Sequence, residues 1–171
     1  MKKLLGGILM LSAAFVIAQT ADEIAEFREK IKTNKDEAQA SLTPYKYDGS
    51  KITYYNVKPF EQVKEVEVYL FNNTDYKFSF SAKSSIHDIK VQIYDVDRES
   101  ENRILLKEIS NVKGTTFLLN SKELNDTYKS KGGSDRLKRV YVDYVIPKAS
   151  GKVDKSSMDS RGAVVLVMGY K

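Results

Sequence analysis

Four acids, Asp95, Asp97, Glu99 and Glu101, stand at alternate positions in the stretch VQIYDVDRESENRILLKE, residues 91–108. Carboxylates at that density are the donor type that holds calcium, which takes six to eight oxygens converging on one point, usually from a tight loop bent at a glycine. This stretch has no glycine, and Arg98 and Arg103 interleave positive charge. On a continuing strand Asp95 and Asp97 would share a face about 7 Å apart, too far for one ion without a bend. The expectation is therefore a solvated hairpin turn whose arginines neutralise its acids, with calcium as the chemistry it would otherwise support.

The other residues with catalytic potential are fewer. His87 is the single histidine, flanked by Ser84-Ser85 and Asp88. A Ser/His/Asp triad needs three groups converging from separate elements beside an oxyanion site. Sequence neighbours on a strand point to opposite faces, and no Gly-x-Ser-x-Gly elbow exists. With no cysteine and one histidine, a zinc site would fall mainly to carboxylates. No cofactor is expected. The 23 acids leave a carboxylate-pair hydrolase open, with no motif that selects a pair.

The densest basic stretch is Lys129, Lys131, Arg136, Lys138 and Arg139, and Lys148, Lys152, Lys155 and Arg161 come after the next apolar run. Either group suits an anionic polysaccharide, an acidic envelope partner or lipid head groups, or is simply a soluble loop. Gly132 and Gly133 are not succeeded by the Gly-Lys-Ser/Thr of a phosphate cradle. Eleven tyrosines and no tryptophan are present. Tyr54 and Tyr55 face opposite sides of a strand, so one of them is available to a ligand. With the five basic residues they form the candidate binding set.

The elements that position these residues are legible from periodicity. Met1-Lys2-Lys3, then the apolar run Leu4–Ile17 closing in Val16-Ile17-Ala18, has the layout of a secretory signal peptide cleaved after Ala18. The run is shorter than the roughly 20 residues a membrane span needs. Cleavage leaves 153 residues with a net charge of +3, too small to imply a nucleic-acid partner, and no later segment is apolar enough to cross a bilayer. Without cysteine there is neither a lipid anchor nor a disulfide, so the mature chain must rely on its core. The expected compartment is a bacterial periplasm or the medium beyond it.

Residues 19–43 read as one amphipathic helix, with Ile24, Phe27, Ile31, Ala38 and Leu42 on one face and a polar middle turn at Asn34 and Lys35. Thr20 and Glu23 form a capping box at its start, and Pro44 ends it. Residues 44–171 then alternate with period two. Asp48-Gly49 and Asn72-Asn73-Thr74-Asp75 read as turns, and Asn120 to Glu123 as a cap opening a short helical turn. Val140, Val142, Tyr144 and Ile146 point one way. Ala163–Met168 is apolar on both faces, as in a strand covered on both sides. About eight strands with short turns specify an all-β fold, an antiparallel β-sandwich preceded by the helix.

Residues 66–97, VEVYLFNNTDYKFSFSAKSSIHDIKVQIYDVD, resemble the jelly-roll sandwiches called pre-peptidase C-terminal domains, through Tyr76-Lys77-Phe78 and Ile93-Tyr94-Asp95. The resemblance implies a jelly-roll-like sandwich and an exported, non-catalytic accessory role. The expected function is thus a binding or accessory protein of the cell envelope. Its rivals are a structural subunit docking through the helix and a carboxylate-dependent hydrolase.

Overall fold

Alternating burial builds this molecule. The computed structural model describes residues 2–71, 73–151 and 160–171, with side chains described from residue 21 onward. In chain order the elements are α1 (Lys2–Ala40), β1 (Lys46–Asn56), β2 (Gln62–Tyr69), β3 (Tyr76–Ser81), β4 (Lys90–Tyr94), β5 (Leu105–Ile109), β6 (Thr116–Asn120), α2 (Ser121–Ser130), β7 (Arg139–Ile146) and β8 (Arg161–Tyr170). The strands form two antiparallel four-stranded sheets, ordered β1-β8-β3-β6 and β2-β7-β4-β5. Except at the β4–β5 hairpin, consecutive strands cross from one sheet to the other, which is the jelly-roll arrangement of two interlocked Greek keys. The expected all-β sandwich is the fold.

Side chains two apart fill the space between the sheets. Val140, Val142, Tyr144 and Ile146 of β7 meet Phe78 and Phe80 of β3, Val91 and Ile93 of β4, and Val164, Leu166 and Met168 of β8. The other face of β8 is also dry. Ala163, Val165 and Val167 pack with Ile31 and Ala38 of α1, which lies across β8 and β3, and with Leu42 in the turn just past its end. That double coverage explains why the β8 run has no polar face. A Cβ at Gly162 would run into the Tyr55 ring, so that position needs a residue without one.

Several expectations are corrected. First, in the full chain α1 starts at Lys2 and runs unbroken through residue 20. No proline separates residues 2–18 from residues 19–43, so nothing in the sequence interrupts the helix between them. Second, Asp48-Gly49 is not a turn. Residues on both sides pair with β8 (Tyr47 with Gly169, Gly49 with Met168), and the extra residue is absorbed as a bulge. Third, Asn34 is buried, and its amide donates to Ser84 Oγ at 2.7 Å. The Asn120 cap is present, accepting from Glu123 N at 2.8 Å, but it opens a ten-residue helix rather than a short turn. In the turn before β3, Asn73 takes a left-handed φ of 57°, and Asn72 lies outside the described residues.

A buried polar relay ties β1 to the β3–β4 connection. Tyr55 is 4% exposed. Its hydroxyl lies 2.6 Å from Ser85 Oγ and accepts from Ile86 N at 3.2 Å, while Ser85 Oγ reaches His87 O at 2.7 Å. Burial raises the Tyr55 phenol above its ordinary range against the opposing hydrogen bonds from Ser85 and Ile86, so it stays protonated. Tyr55→Phe leaves the Ile86 N–H without this acceptor and is expected to cost about 1–3 kcal/mol in urea unfolding. A cost near zero would show the relay contributes nothing.

Candidate functional site

The acidic turn is engaged with its own backbone. Asp95 Oδ1 accepts from Ile104 N at 2.7 Å, and Asp97 Oδ1 accepts from Glu99 N at 3.0 Å and Ser100 N at 3.1 Å. Asp95 thus fastens the return into β5 and Asp97 caps the turn, while Glu99 and Glu101 point into water. Among the described residues no group of three or more His, Cys, Asp or Glu side chains is arranged to hold a metal ion. The imagined triad is likewise not assembled. Ser84 is held by Asn34, Ser85 by Tyr55, and Asp88 accepts from Lys113 N at 3.1 Å.

Arg103 leaves this turn and folds over the outer face of the β2-β7-β4-β5 sheet. Its guanidinium carbon sits 3.7 Å from the Tyr94 ring centroid. Its Nε donates to Val96 O at 3.0 Å, one terminal nitrogen to Asp143 Oδ2 at 2.9 Å, and the other to Glu65 Oε2 at 3.3 Å. Glu65 and Asp143 are direct cross-strand partners. Desolvation, then the Asp143 charge, push the Glu65 carboxyl up, against the Arg98 backbone N–H and Arg103, which pull it down. Asp143 is 3% exposed, and its Oδ1 has no hydrogen-bond partner. A hydrolytic acid pair needs a substrate between its carboxyls; here one guanidinium bridges them.

The basic stretch is spread along one end of the sandwich rather than gathered. Lys131 Nζ donates to Leu105 O at 2.6 Å on the β5 side. Arg136 pairs with Asp75 at 2.7 Å in the turn before β3. Arg139 pairs with Glu67 at 2.9 Å on β2. Lys129 and Lys138 are exposed. Of the second basic group, Lys152 and Lys155 lie outside the described residues.

Tyr54 and Tyr55 do not join this end. Tyr54 is 54% exposed on the outer face of the other sheet, against Phe27 of α1, whereas Tyr55 is buried in the core and is removed from the candidate set. Of the exposed aromatics, Tyr69 meets the basic stretch, and Phe71, two residues on, lies 6.4 Å from the Tyr76 ring; they are 61% and 65% exposed. Leu70 between them is buried, and its N–H bonds Lys138 O at 2.8 Å, so Tyr69 and Phe71 both project outward. Arg139 lies 5.3 Å from the Tyr69 ring centroid. Glu67 Oε1 accepts from both Arg139 and Tyr141 Oη, the latter at 3.1 Å. Desolvation works to raise the Glu67 carboxyl, but hydrogen bonds from Tyr141, Tyr69 and Arg139 outweigh it and hold it below the ordinary range. The result is a corner of two exposed rings beside a fixed, charge-balanced set of donors and acceptors.

No protein-family model matches the chain, and no curated protein matches it. Solved structures do. The crystal structure of PirA is similar over 75% of this chain and 99% of its own, at 12% identity and a TM-score of 0.38. A structure of CBM4 is similar over 76% of this chain and 80% of its own, at 12% identity and a TM-score of 0.40. A carbohydrate-binding module of endoglucanase Cel5A from Eubacterium cellulosolvens is similar over 72% of this chain and 94% of its own, at 18% identity and a TM-score of 0.37.

Proposed function

We propose that this chain is an exported, non-catalytic binding protein of the bacterial cell envelope, released from residues 1–18, and that it holds a neutral polysaccharide at the Tyr69–Phe71–Arg139 corner. The observation that carries the reading is the pairing of two outward rings with side chains already fixed by Glu67, Arg139 and Tyr141. Sugar rings offer apolar faces to aromatic planes and hydroxyls to such donors and acceptors, and side chains held in advance lose little entropy on binding. Arg139 and Arg136 are each balanced by an acid, which favours a neutral chain at the corner itself.

The structural-subunit alternative asks the apolar stripe of α1 to dock on a partner. Ile31 and Ala38 of that stripe, with Leu42 just past the helix, are instead buried on β8 of the same chain. Among the described residues, no helix is long and apolar enough to cross a membrane.

Affinity electrophoresis through gels containing a β-glucan, a xylan or a mannan tests the proposal, with polygalacturonate as the anionic comparison. A neutral polymer is expected to retard the protein. Tyr69→Ala and Phe71→Ala are each expected to weaken that binding about tenfold, or about 1.4 kcal/mol. Retardation by polygalacturonate alone, or retardation unchanged in both variants, would remove the neutral-glycan reading.

A further inference from the structure

A second site lies at the opposite, N-terminal end of β8, between α1 and the outer face of its sheet. Ile24, Phe27 and Arg28 of α1 form one wall, and Tyr54, Asn56 and Arg161 form the other, around a cleft of about 510 Å³. The register explains the arrangement. Tyr54 pairs with Ala163 and Asn56 with Arg161, so these side chains share the face on which α1 rests. Ile31 is buried against the sheet, Phe27 packs on the rim of that contact and beside Tyr54, and the cleft opens there.

Its chemistry is one-sided. Two guanidinium groups line the cleft, and no carboxylate is among the described residues that line it. Arg161 Nε is buried without a hydrogen-bond partner. A buried, unpaired N–H on a charged group is costly, and the positive charge that Arg161 and Arg28 bring to the cleft has no acid lining the cleft to balance it. The rest of the wall is apolar or aromatic: Ile24, Phe27 and Tyr54, with the two rings 6.5 Å apart. The volume is that of a small-molecule site.

We infer that this cleft binds a small organic carboxylate with an aromatic or apolar body. The carboxylate lies against Arg161 and Arg28, which suit it because guanidinium donors match its two oxygens. The body lies between Phe27, Ile24 and Tyr54. The site is independent of the proposed glycan corner and shares no residue with it.

The test uses protein purified after expression of the full chain from its own start, labelled for NMR and titrated with 3-phenylpropionate. Its neutral twin, 3-phenylpropionamide, and inorganic phosphate are titrated alongside. Saturable shifts are expected at residues 24–28, 54–56 and 161–162, with the amide and phosphate each at least tenfold weaker. Arg161→Gln is expected to weaken the acid at least tenfold. Arg28→Gln, a change at an exposed helix position, is expected to weaken it severalfold and serves if the first variant does not fold. Absence of saturable binding, equal binding of the amide or of phosphate, shifts confined elsewhere, or an unchanged affinity in a folded variant would each overturn the inference.

Discussion

Phe80→Ala is expected to lower the unfolding free energy by about 3–5 kcal/mol. Phe80 is fully buried near the end of β3. Its ring stacks on Phe117 of β6 at 4.9 Å between centroids and 8° between planes. Its neighbours along the sheet are Leu166 on one side and Phe117 on the other. Truncation removes transfer free energy and leaves a void that flanking β-branched side chains cannot easily close. Phe117→Ala is the internal comparison. That ring is half-buried on an edge strand, so the sheet can relax around the gap and the loss should be smaller. Urea unfolding monitored by far-ultraviolet circular dichroism reads both. Phe117→Ala costing more than Phe80→Ala would mean that the β1-β8-β3-β6 sheet is centred elsewhere.

The same residues show what a sequence reveals and what it withholds. Alternation made β7 legible, because Val140, Val142, Tyr144 and Ile146 carry the burial signal within one window of eight residues. The dry run of β8 was legible too, since only a strand covered on both faces tolerates it. What joins distant segments was not. Asn34 reads as a polar helix position until Ser84, 50 residues away, is beside it. The basic stretch reads as a patch of free charge until Asp75 and Glu67, 61 and 72 residues away, neutralise two of its arginines. Asp48-Gly49 has the composition of a turn, and only pairing of both flanks with one partner strand makes it a bulge. Tyr69 did carry a local signal. It alternates with Val68 and Leu70, which marks it as outward, and a large ring at an outward position beside a charged strand was the available pointer to the corner. Tyr54 and Tyr55 drew attention as a doublet, yet alternation alone places one of them inside.

Arg103→Met should be the second large effect, and it should depend on pH. Arg103 is the single cation bonded to two carboxylates among the described residues, and all three side chains are largely shielded, at 15% exposure for Arg103, 4% for Asp143 and 26% for Glu65. Methionine keeps much of the packing over Tyr94 but removes the charge. A buried carboxylate then loses its partner while a second lies directly across the strand pair, and breaking such a set costs about 3–5 kcal/mol at neutral pH. The sign of the pH dependence comes from Glu65. Its carboxyl is already raised in the folded protein, so folding favours its protonated form, and stability falls as pH rises through its unfolded and then its folded value. Without Arg103 one of the two influences lowering that value is gone, while the Arg98 backbone N–H remains, so Glu65 moves further up and the fall with pH becomes steeper. The penalty should therefore be largest at pH 7 and should shrink toward pH 4, as protons replace the missing cation. Adding Glu65→Gln to Arg103→Met should recover part of the loss at pH 7 and little at pH 4. Unfolding curves at the two pH values give a direct reading. An equal penalty at both would mean that Arg103 acts through its packing on Tyr94, and that the bridge between Glu65 and Asp143 carries no charge-dependent stability.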